Sequence, residues 1–150
     1  IDRAESLMQE AKALATEFQL NKKLVKINLN LGNIYHIKGS YDDSLSHLTQ
    51  TLGLLGEKNG DRSLRARILH NIGLAYKAKH EDTKALDIFN ESIDLSTTAE
   101  NNYMKSLTYL EKSEILYRND DLSAGTALAT SAFQAFSQFW LGCARYPELG

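Results

Sequence analysis

The chain has 150 residues, which suffice for one domain with a buried core, and its 17 basic and 19 acidic residues give a formal net charge of -2. This balance excludes recognition of nucleic acid or of an anionic membrane through an overall positive field. The single cysteine, Cys143, excludes an internal disulfide framework and a cysteine-based zinc site, and the absence of a signal peptide or a membrane-spanning apolar run predicts a cytoplasmic protein.

The spacing of apolar residues predicts a chain that is helical almost throughout. Apolar side chains recur every three or four positions, as one helical face requires, and no stretch shows the period of two that is typical of a strand. Polar segments with Gly, Asn, Asp or Ser separate the helical stretches and supply capping side chains. Only Pro147 could break a helix through its ring. The sequence therefore predicts an all-α fold of seven helices, over residues 2–18, 22–38, 42–56, 62–79, 82–97, 101–118 and 121–139.

A repeat of fixed length runs through these helices. Tyr35, Tyr76 and Tyr117 lie 41 residues apart, and Gly32 and Gly73 have the same separation. A period of this size predicts stacked helical hairpins. In each hairpin the small residue is expected to let the two helices approach closely, and the tyrosine is expected to fill the groove between neighbouring hairpins.

The repeat carries the residues of a known signature. Residues 72–89 resemble the tetratricopeptide repeat family, whose signature reads Trp-x2-Leu-Gly-x2-Tyr, then Ala-x3-Phe, then Pro. The copy at 31–48 has Ser and Leu in place of Ala and Phe, and the third copy keeps only Tyr117, with Thr126 where the alanine is expected. The Trp and Pro positions are absent in all copies. The resemblance implies a right-handed superhelix of antiparallel helix hairpins that binds protein partners.

The repeat also divides the chain. The first 20 residues look like the second helix of a preceding repeat, and full repeats are expected at 21–60, 61–99 and 100–141. Residues 142–150 are predicted to form a loose tail. The chain opens without methionine and inside a helix, which indicates a piece of a longer protein.

The C-terminal helix holds more apolar residues than one face can bury. Phe133, Phe136, Phe139, Trp140 and Leu141 lie within one short stretch of this helix. Either they pack on the third repeat as a cap, or they wait for another repeat or a partner chain. The second option predicts self-association through this helix.

A period of 41 exceeds the commoner 34 by seven residues, which equals two helical turns. One extra turn on each helix would keep the packing faces in phase. Repeats of this length are similar to a subgroup that includes Pins-type spindle-orientation adaptors, bacterial peptide-pheromone receptors with related phosphatases, and segments of bacterial sensors. This subgroup covers very different biology, so it names no single function.

Stacked hairpins expose one stripe of each first helix on the concave side, where such arrays usually bind. A cation followed four residues later by asparagine occurs in this stripe in the first two copies, as Lys26 with Asn30 and Arg67 with Asn71. An asparagine amide can hold a peptide backbone through both a donor and an acceptor, and the cation can pair with a carboxylate. The predicted peptide-binding residues are Lys26, Asn30, Asn33, Arg67, His70, Asn71, Lys77 and Lys112, with His36 and Arg118 beside them.

These residues predict a protein-interaction scaffold that binds an extended, acidic peptide in its concave groove. Two readings stay open beside it. The asparagines could instead bond the backbone of the neighbouring repeat, with the cations merely solvated. The chain could also be a peptide-sensing regulatory domain of a larger bacterial signalling or transcription-regulating protein.

Catalytic chemistry finds no support in the sequence. The four histidines lack the spacing of metal ligands, and the pairs Asp42-Asp43 and Asp120-Asp121 sit where they complement a helix dipole. The turn around Gly56 and Gly60 lacks the ending of a phosphate-binding loop. The sequence therefore predicts no enzyme activity, no metal and no cofactor.

Overall fold

The computed structural model describes residues 1–55 and 61–145, with side chains through Leu141. Within these ranges there are seven helices and no strand, which confirms the predicted all-α fold. The helices are α1 (Asp2–Glu17), α2 (Asn21–Ile37), α3 (Tyr41–Leu55), α4 (Arg62–Ala78), α5 (Asp82–Thr98), α6 (Asn102–Arg118) and α7 (Leu122–Arg145). None of them combines the length and apolar composition that crossing a bilayer requires.

The last helix is longer than predicted. It continues to Arg145, so the expected loose tail from residue 142 begins inside α7. Ala144 and Arg145 are good helix formers, and the sequence offers no proline before Pro147 to stop them. The rest of that tail, and the turn with Gly56 and Gly60, lie outside the described residues.

One type of helix end joins the elements into hairpins. The residue after the C-cap of α1, α2, α4, α5 and α6 has a positive φ, as at Gly39 (79°), His80 (59°) and Asp120 (61°). The next amide then bonds a carbonyl five residues back, for example Ser40 N to Tyr35 O at 2.9 Å and Glu81 N to Tyr76 O at 3.0 Å. This closure reverses the chain within three residues. The same closure follows α1 and α5, and close packing then pairs α2 with α3, α4 with α5, and α6 with α7.

Glycine sets the close approach within the first two hairpins, as predicted. A Cβ atom on Gly73 would lie 2.3 Å from the ring of Phe89, and one on Gly32 would lie 2.7 Å from Leu48. Phe89 and Leu48 are both buried in the core. Because glycine has no side chain, the first helix leaves a space that the large residue of the second helix fills.

The third hairpin inverts this arrangement, which the sequence did not predict. Its glycine is on the second helix, where a Cβ atom on Gly125 would lie 2.9 Å from the ring of Tyr117 on the first. Tyr117 therefore packs inside its own hairpin rather than between hairpins. Thr126, expected at the small position, is exposed, while Gly125 is buried. The residue of α7 that is equivalent to buried Ala85 of α5 is therefore Gly125, which lies 40 residues later instead of the predicted 41.

The core fills the spaces between successive hairpins. One cluster joins Leu29, Leu48, Ile68 and Ile72, and another joins Phe89 and Ile115 with Ala85. Buried hydroxyl groups tie the second helices to first-helix carbonyls, with Ser44 Oγ donating to Gly32 O at 2.7 Å and Ser92 Oγ donating to Ala66 O at 2.8 Å. Their hydrogen bonds are satisfied, so the small polar residues are compatible with burial.

Candidate functional site

The first helices of the three hairpins lie side by side and form one surface, which we call the first-helix face. Side-chain contacts join α2 to α4 and α4 to α6, and each joins residues 34 to 38 positions apart. Between α4 and α6 the separation stays nearly constant along the helices. Between α2 and α4, Lys26 and Arg67 line one space near the helix starts and Asn33 bonds Asn71 further along, so α2, α4 and α6 run parallel. Their N-terminal ends therefore share one edge of the face, and their C-terminal ends share the other.

Two predicted asparagines meet at the centre of this face. Asn71 Nδ2 donates to Asn33 Oδ1 at 2.8 Å, which leaves Asn71 with a carbonyl acceptor and Asn33 with amide donors. Asn30 is exposed on α2 and does not join them. The pair borders a space of about 290 Å³ that we call the amide crevice, lined by Asn33, His36, Ile37, Asn71 and Leu74, with Ser44 and Leu48 beneath.

His36, which lines the amide crevice, carries a polar atom without a hydrogen-bond partner in the described part of the chain. Its Nδ1 is buried and has no hydrogen-bond partner among the described residues. Burial lowers the pKa of His36, so the ring is neutral at physiological pH. A neutral ring can supply either a donor or an acceptor at that nitrogen, depending on its tautomer.

A second space, the basic crevice, lies toward the N-terminal edge of the face. It measures about 420 Å³ and contains the side chains of Lys26 from α2 and Arg67 from α4. Both cations are exposed, and neither makes an ion pair with a described residue. Asp61 also lines the crevice and adds one negative charge to it, while its carboxylate caps α4 by accepting from Ser63 N at 3.0 Å. The remaining lining residues are Ser63, Leu64, Asn101, Tyr103 and Met104.

The cations at the opposite edge are paired, in a repeated contact that we call the clasp. A basic residue near the end of each first helix reaches an aspartate in the first turn of the second helix before it. The pairs are Lys38 with Asp2 (3.2 Å), Lys79 with Asp42 (2.6 Å), and Arg118 with Asp82. Hydrogen bonds with Asp42 and Glu81 raise the pKa of Lys79. The three aspartates lie 40 residues apart in the sequence, so the clasp has a visible sequence signal.

Lys77 is placed differently from the prediction. Its ammonium group lies 2.6 Å from Glu111 Oε2 and also contacts Glu114, both on α6. Burial opposes the charge, but the hydrogen bonds with the two carboxylates raise the pKa of Lys77. A cation that already has two carboxylate partners is not free for an acidic ligand. Glu111 and Glu114 could not be assigned as its partners without knowing how α4 and α6 align.

His70 lies in the core rather than in a groove. It is 6% exposed, and its Nδ1 lies 2.9 Å from Thr108 Oγ1. The Thr108 hydroxyl donates to Met104 O at 2.9 Å, so Nδ1 of His70 must be the donor to Thr108. Burial, with a smaller effect of the Lys77 charge, lowers the pKa of His70 to about 4.

Lys112 also points away from the predicted stripe. Its ammonium group donates to Asn90 on α5, and burial lowers the pKa of Lys112. Of the eight predicted residues, the amide crevice holds Asn33 and Asn71, and the basic crevice holds Lys26 and Arg67.

Four aromatic residues near the basic crevice form a group that we call the aromatic cluster. Tyr103 of α6 lies 5.5 Å from Phe139 and 6.4 Å from Phe136, measured between ring centroids, and Phe136 lies 6.4 Å from Trp140. The excess of aromatic residues in α7 was visible in the sequence. The involvement of Tyr103 was not, because it depends on how α6 and α7 pack.

No group of three or more His, Cys, Asp or Glu residues is arranged to hold a metal ion in the part of the chain that the structure describes.

A model of the tetratricopeptide repeat family matches residues 23–98, just over half of the 150-residue chain. The matched segment runs from α2 to the end of α5 and includes both asparagines of the amide crevice and both cations of the basic crevice. No curated protein and no solved structure matches the chain.

Proposed function

Because the chain belongs to the tetratricopeptide repeat family, whose repeats mediate protein–protein interactions, we propose that it binds a partner protein through an extended, acidic peptide segment on the first-helix face. One observation carries this proposal. The two cations that line the basic crevice have no ion-pair partner among the described residues, whereas the clasps neutralise the cations of the opposite edge.

The basic crevice suits a carboxylate. Arg67 offers a planar set of donors that can hold both oxygens of a carboxylate, and Lys26 adds a second positive charge from the neighbouring helix. Both side chains are exposed, so each contact is screened by water and salt. Several contacts along one peptide are therefore needed for useful affinity.

The amide crevice supplies contacts that do not depend on the sequence of the ligand. The Asn71 carbonyl can accept from a backbone N–H, and the Asn33 amide can donate to a backbone C=O. Their mutual hydrogen bond holds both side chains in place before a ligand arrives, which reduces the entropy lost on binding. The charges would thus select acidic peptides, and the amides would hold an extended backbone.

Reversing the charge of Arg67 tests the basic crevice. We expect Arg67→Glu to weaken binding of a fluorescein-labelled peptide of alternating Glu and Ser by about tenfold, measured by fluorescence anisotropy at low salt. Arg3→Glu is the matched control, because Arg3 is exposed on α1, outside the crevice, and the change in net charge is the same. Equal losses in the two variants would mean that only the overall charge matters and would contradict the proposed site.

Removing an amide tests the backbone contacts. We expect Asn71→Ala to weaken binding of the same peptide by about two- to tenfold, since a net hydrogen bond contributes about 0.5 to 1.5 kcal/mol. Asn21→Ala serves as control, because Asn21 is an exposed asparagine at the start of α2 that lines neither crevice. Isothermal titration calorimetry gives both affinities. An unchanged affinity for Asn71→Ala would remove the amide pair from the site.

A further inference from the structure

Charge is distributed unevenly between the two kinds of helix. The first helices α2, α4 and α6 together carry ten basic and two acidic residues, whereas α1, α3 and α5 together carry three basic and ten acidic residues. Both acidic residues of the first helices, Glu111 and Glu114, belong to α6. The groove between α2 and α4 is therefore flanked by two helices that carry seven basic residues and no acidic one. Asp61, the cap of α4, is the acidic residue at the entrance of this groove.

The basic crevice and the amide crevice both lie along this groove. Lys26 and Asn33 are seven residues apart on α2, and Arg67, Asn71 and Leu74 follow each other at spacings of four and three on α4. Each set therefore shares one face of its helix. The two faces are turned toward each other, since Lys26 and Arg67 line one space and Asn33 bonds Asn71. The two crevices are thus successive parts of one groove that runs parallel to the helix axes.

The next groove, between α4 and α6, is filled and acidic. Lys77 crosses it, with its ammonium group 2.6 Å from Glu111 Oε2 and in contact with Glu114 as well. The buried residue Phe89 lies one repeat of 41 after Leu48, which is beneath the amide crevice, and its larger side chain occupies the equivalent position. An acidic ligand that turned toward α6 at this level would meet two carboxylates whose cation is already paired.

We infer that the ligand lies lengthwise in the groove between α2 and α4, with acidic residues at the N-terminal end of the groove and an aliphatic side chain in the amide crevice. This inference rests on the proposed function and specifies the path and the sequence pattern of its ligand. The acidic residues pair with Lys26 and Arg67. The aliphatic side chain packs between Ile37 and Leu74, above Leu48, while the amide pair holds the backbone beside it.

Helix geometry sets the spacing of these contacts. Seven residues separate Lys26 from Asn33, which corresponds to about 10 Å along α2. An extended peptide advances about 3.3 Å per residue, so the aliphatic residue is expected roughly three residues from the acidic residue at Lys26. Lys22 is exposed one turn before Lys26, about 6 Å away along the axis, which is close to the separation of alternate residues in an extended peptide. A second acidic residue is therefore expected two positions further from the aliphatic one.

Peptides with fixed charges and a movable leucine test this spacing. Each fluorescein-labelled peptide carries two glutamates on alternate positions, serine elsewhere, and one leucine placed one to eight residues away. Both chain directions are made. We expect the affinity, measured by fluorescence anisotropy at low salt, to be highest with the leucine about three residues from the nearer glutamate. Serine in place of that leucine should weaken binding by about tenfold.

Photo-cross-linking locates the two ends of the best peptide. A benzophenone group replaces the leucine in one copy and is added beyond the outer glutamate in another, and mass spectrometry identifies the labelled residues. The leucine-end probe should label the C-terminal halves of α2 and α4, and the glutamate-end probe should label their N-terminal halves. A leucine-end label on α1 or α6, with none on α2 and α4, would show that the ligand crosses the array and would overturn the inference.

Exposed apolar residues provide a matched pair of variants. Ile37 is 70% exposed in the wall of the amide crevice, and Leu7 is 54% exposed on α1. Ile37→Ser should remove the preference for leucine and retain the dependence on the glutamates, whereas Leu7→Ser should change neither. Circular dichroism checks that both variants are folded. A leucine preference that survives Ile37→Ser unchanged would place the aliphatic side chain elsewhere and contradict the inference.

The outcomes distinguish this inference from the proposed function. Binding that requires the glutamates but is indifferent to the leucine position would overturn the lengthwise site and leave the proposed function standing. Binding of none of the peptides would overturn both. If sedimentation shows a dimer that Arg67→Glu abolishes, a second copy occupies the groove and the inference is wrong.

Discussion

Replacing Gly73 by alanine should lower the free energy of unfolding by about 3 kcal/mol, because the new methyl group has no space. Its carbon would lie 2.3 Å and 2.5 Å from two ring atoms of Phe89. That ring is fully buried in the core and cannot move aside without displacing Ile115 and Ala85 of the same cluster. Urea unfolding followed by circular dichroism measures the change.

The same substitution at Gly53 is the control and should have the opposite sign. Gly53 lies inside α3, and no atom outside its own helix backbone is within 4 Å of the position a Cβ would take. Alanine is favoured over glycine in a helix interior, so Gly53→Ala should stabilise the chain by about 0.5 to 1 kcal/mol. If both variants changed stability in the same direction, the close contact between α4 and α5 would not limit the residue at position 73.

Acidification from pH 7.5 to pH 5 should destabilise the folded chain by about 2 kcal/mol through His70 alone. Its pKa is about 4 in the folded state, against an ordinary value of 6.5. The unfolded chain therefore binds a proton more readily than the folded chain. The stability that His70 contributes is complete above pH 6.5 and is lost as the pH falls from 6.5 toward 4.

A leucine at position 70 removes this titration without opening a cavity. The equivalent residue of the first hairpin is Leu29, which is also buried, and the Thr108 hydroxyl keeps its bond to Met104 O when the histidine is absent. Unfolding free energies at the two pH values should therefore differ less in His70→Leu than in the unaltered chain. His36 and His47, whose pKa values burial also lowers, are present in both and cancel in the comparison. Equal pH dependence in the two chains would contradict the assignment.

The sequence predicted the helices and the hairpin contacts well, because both depend on short-range patterns. Apolar spacing placed every described helix end within one residue except the last, and the 41-residue period identified the contacts of Gly32 and Gly73. The third hairpin was harder. Its glycine lies on the second helix instead of the first. The family signature expects the glycine on the first helix, so a fixed period does not identify Gly125 as the packing residue.

The candidate site was predicted only in part, because its electrostatics depend on contacts between repeats. Lys26, Arg67, Asn33 and Asn71 line the crevices on the first-helix face. Lys77 has the same residue type as Lys26, and only the position of α6 shows that two glutamates hold it. The buried position of His70 likewise could not be predicted without knowing that Thr108 of α6 lies next to it. Whether the chain also acts as a peptide-dependent sensor stays a prediction.

The clasps have a consequence for alignment of the array. Each pair is too exposed to add much stability, and salt weakens it further. Their positions nevertheless recur once per repeat, so a hairpin that slid by one turn along its neighbour would separate Lys79 from Asp42 and leave both charges unmatched. The clasps therefore favour one constant offset between hairpins, and that offset sets the distance between the two crevices.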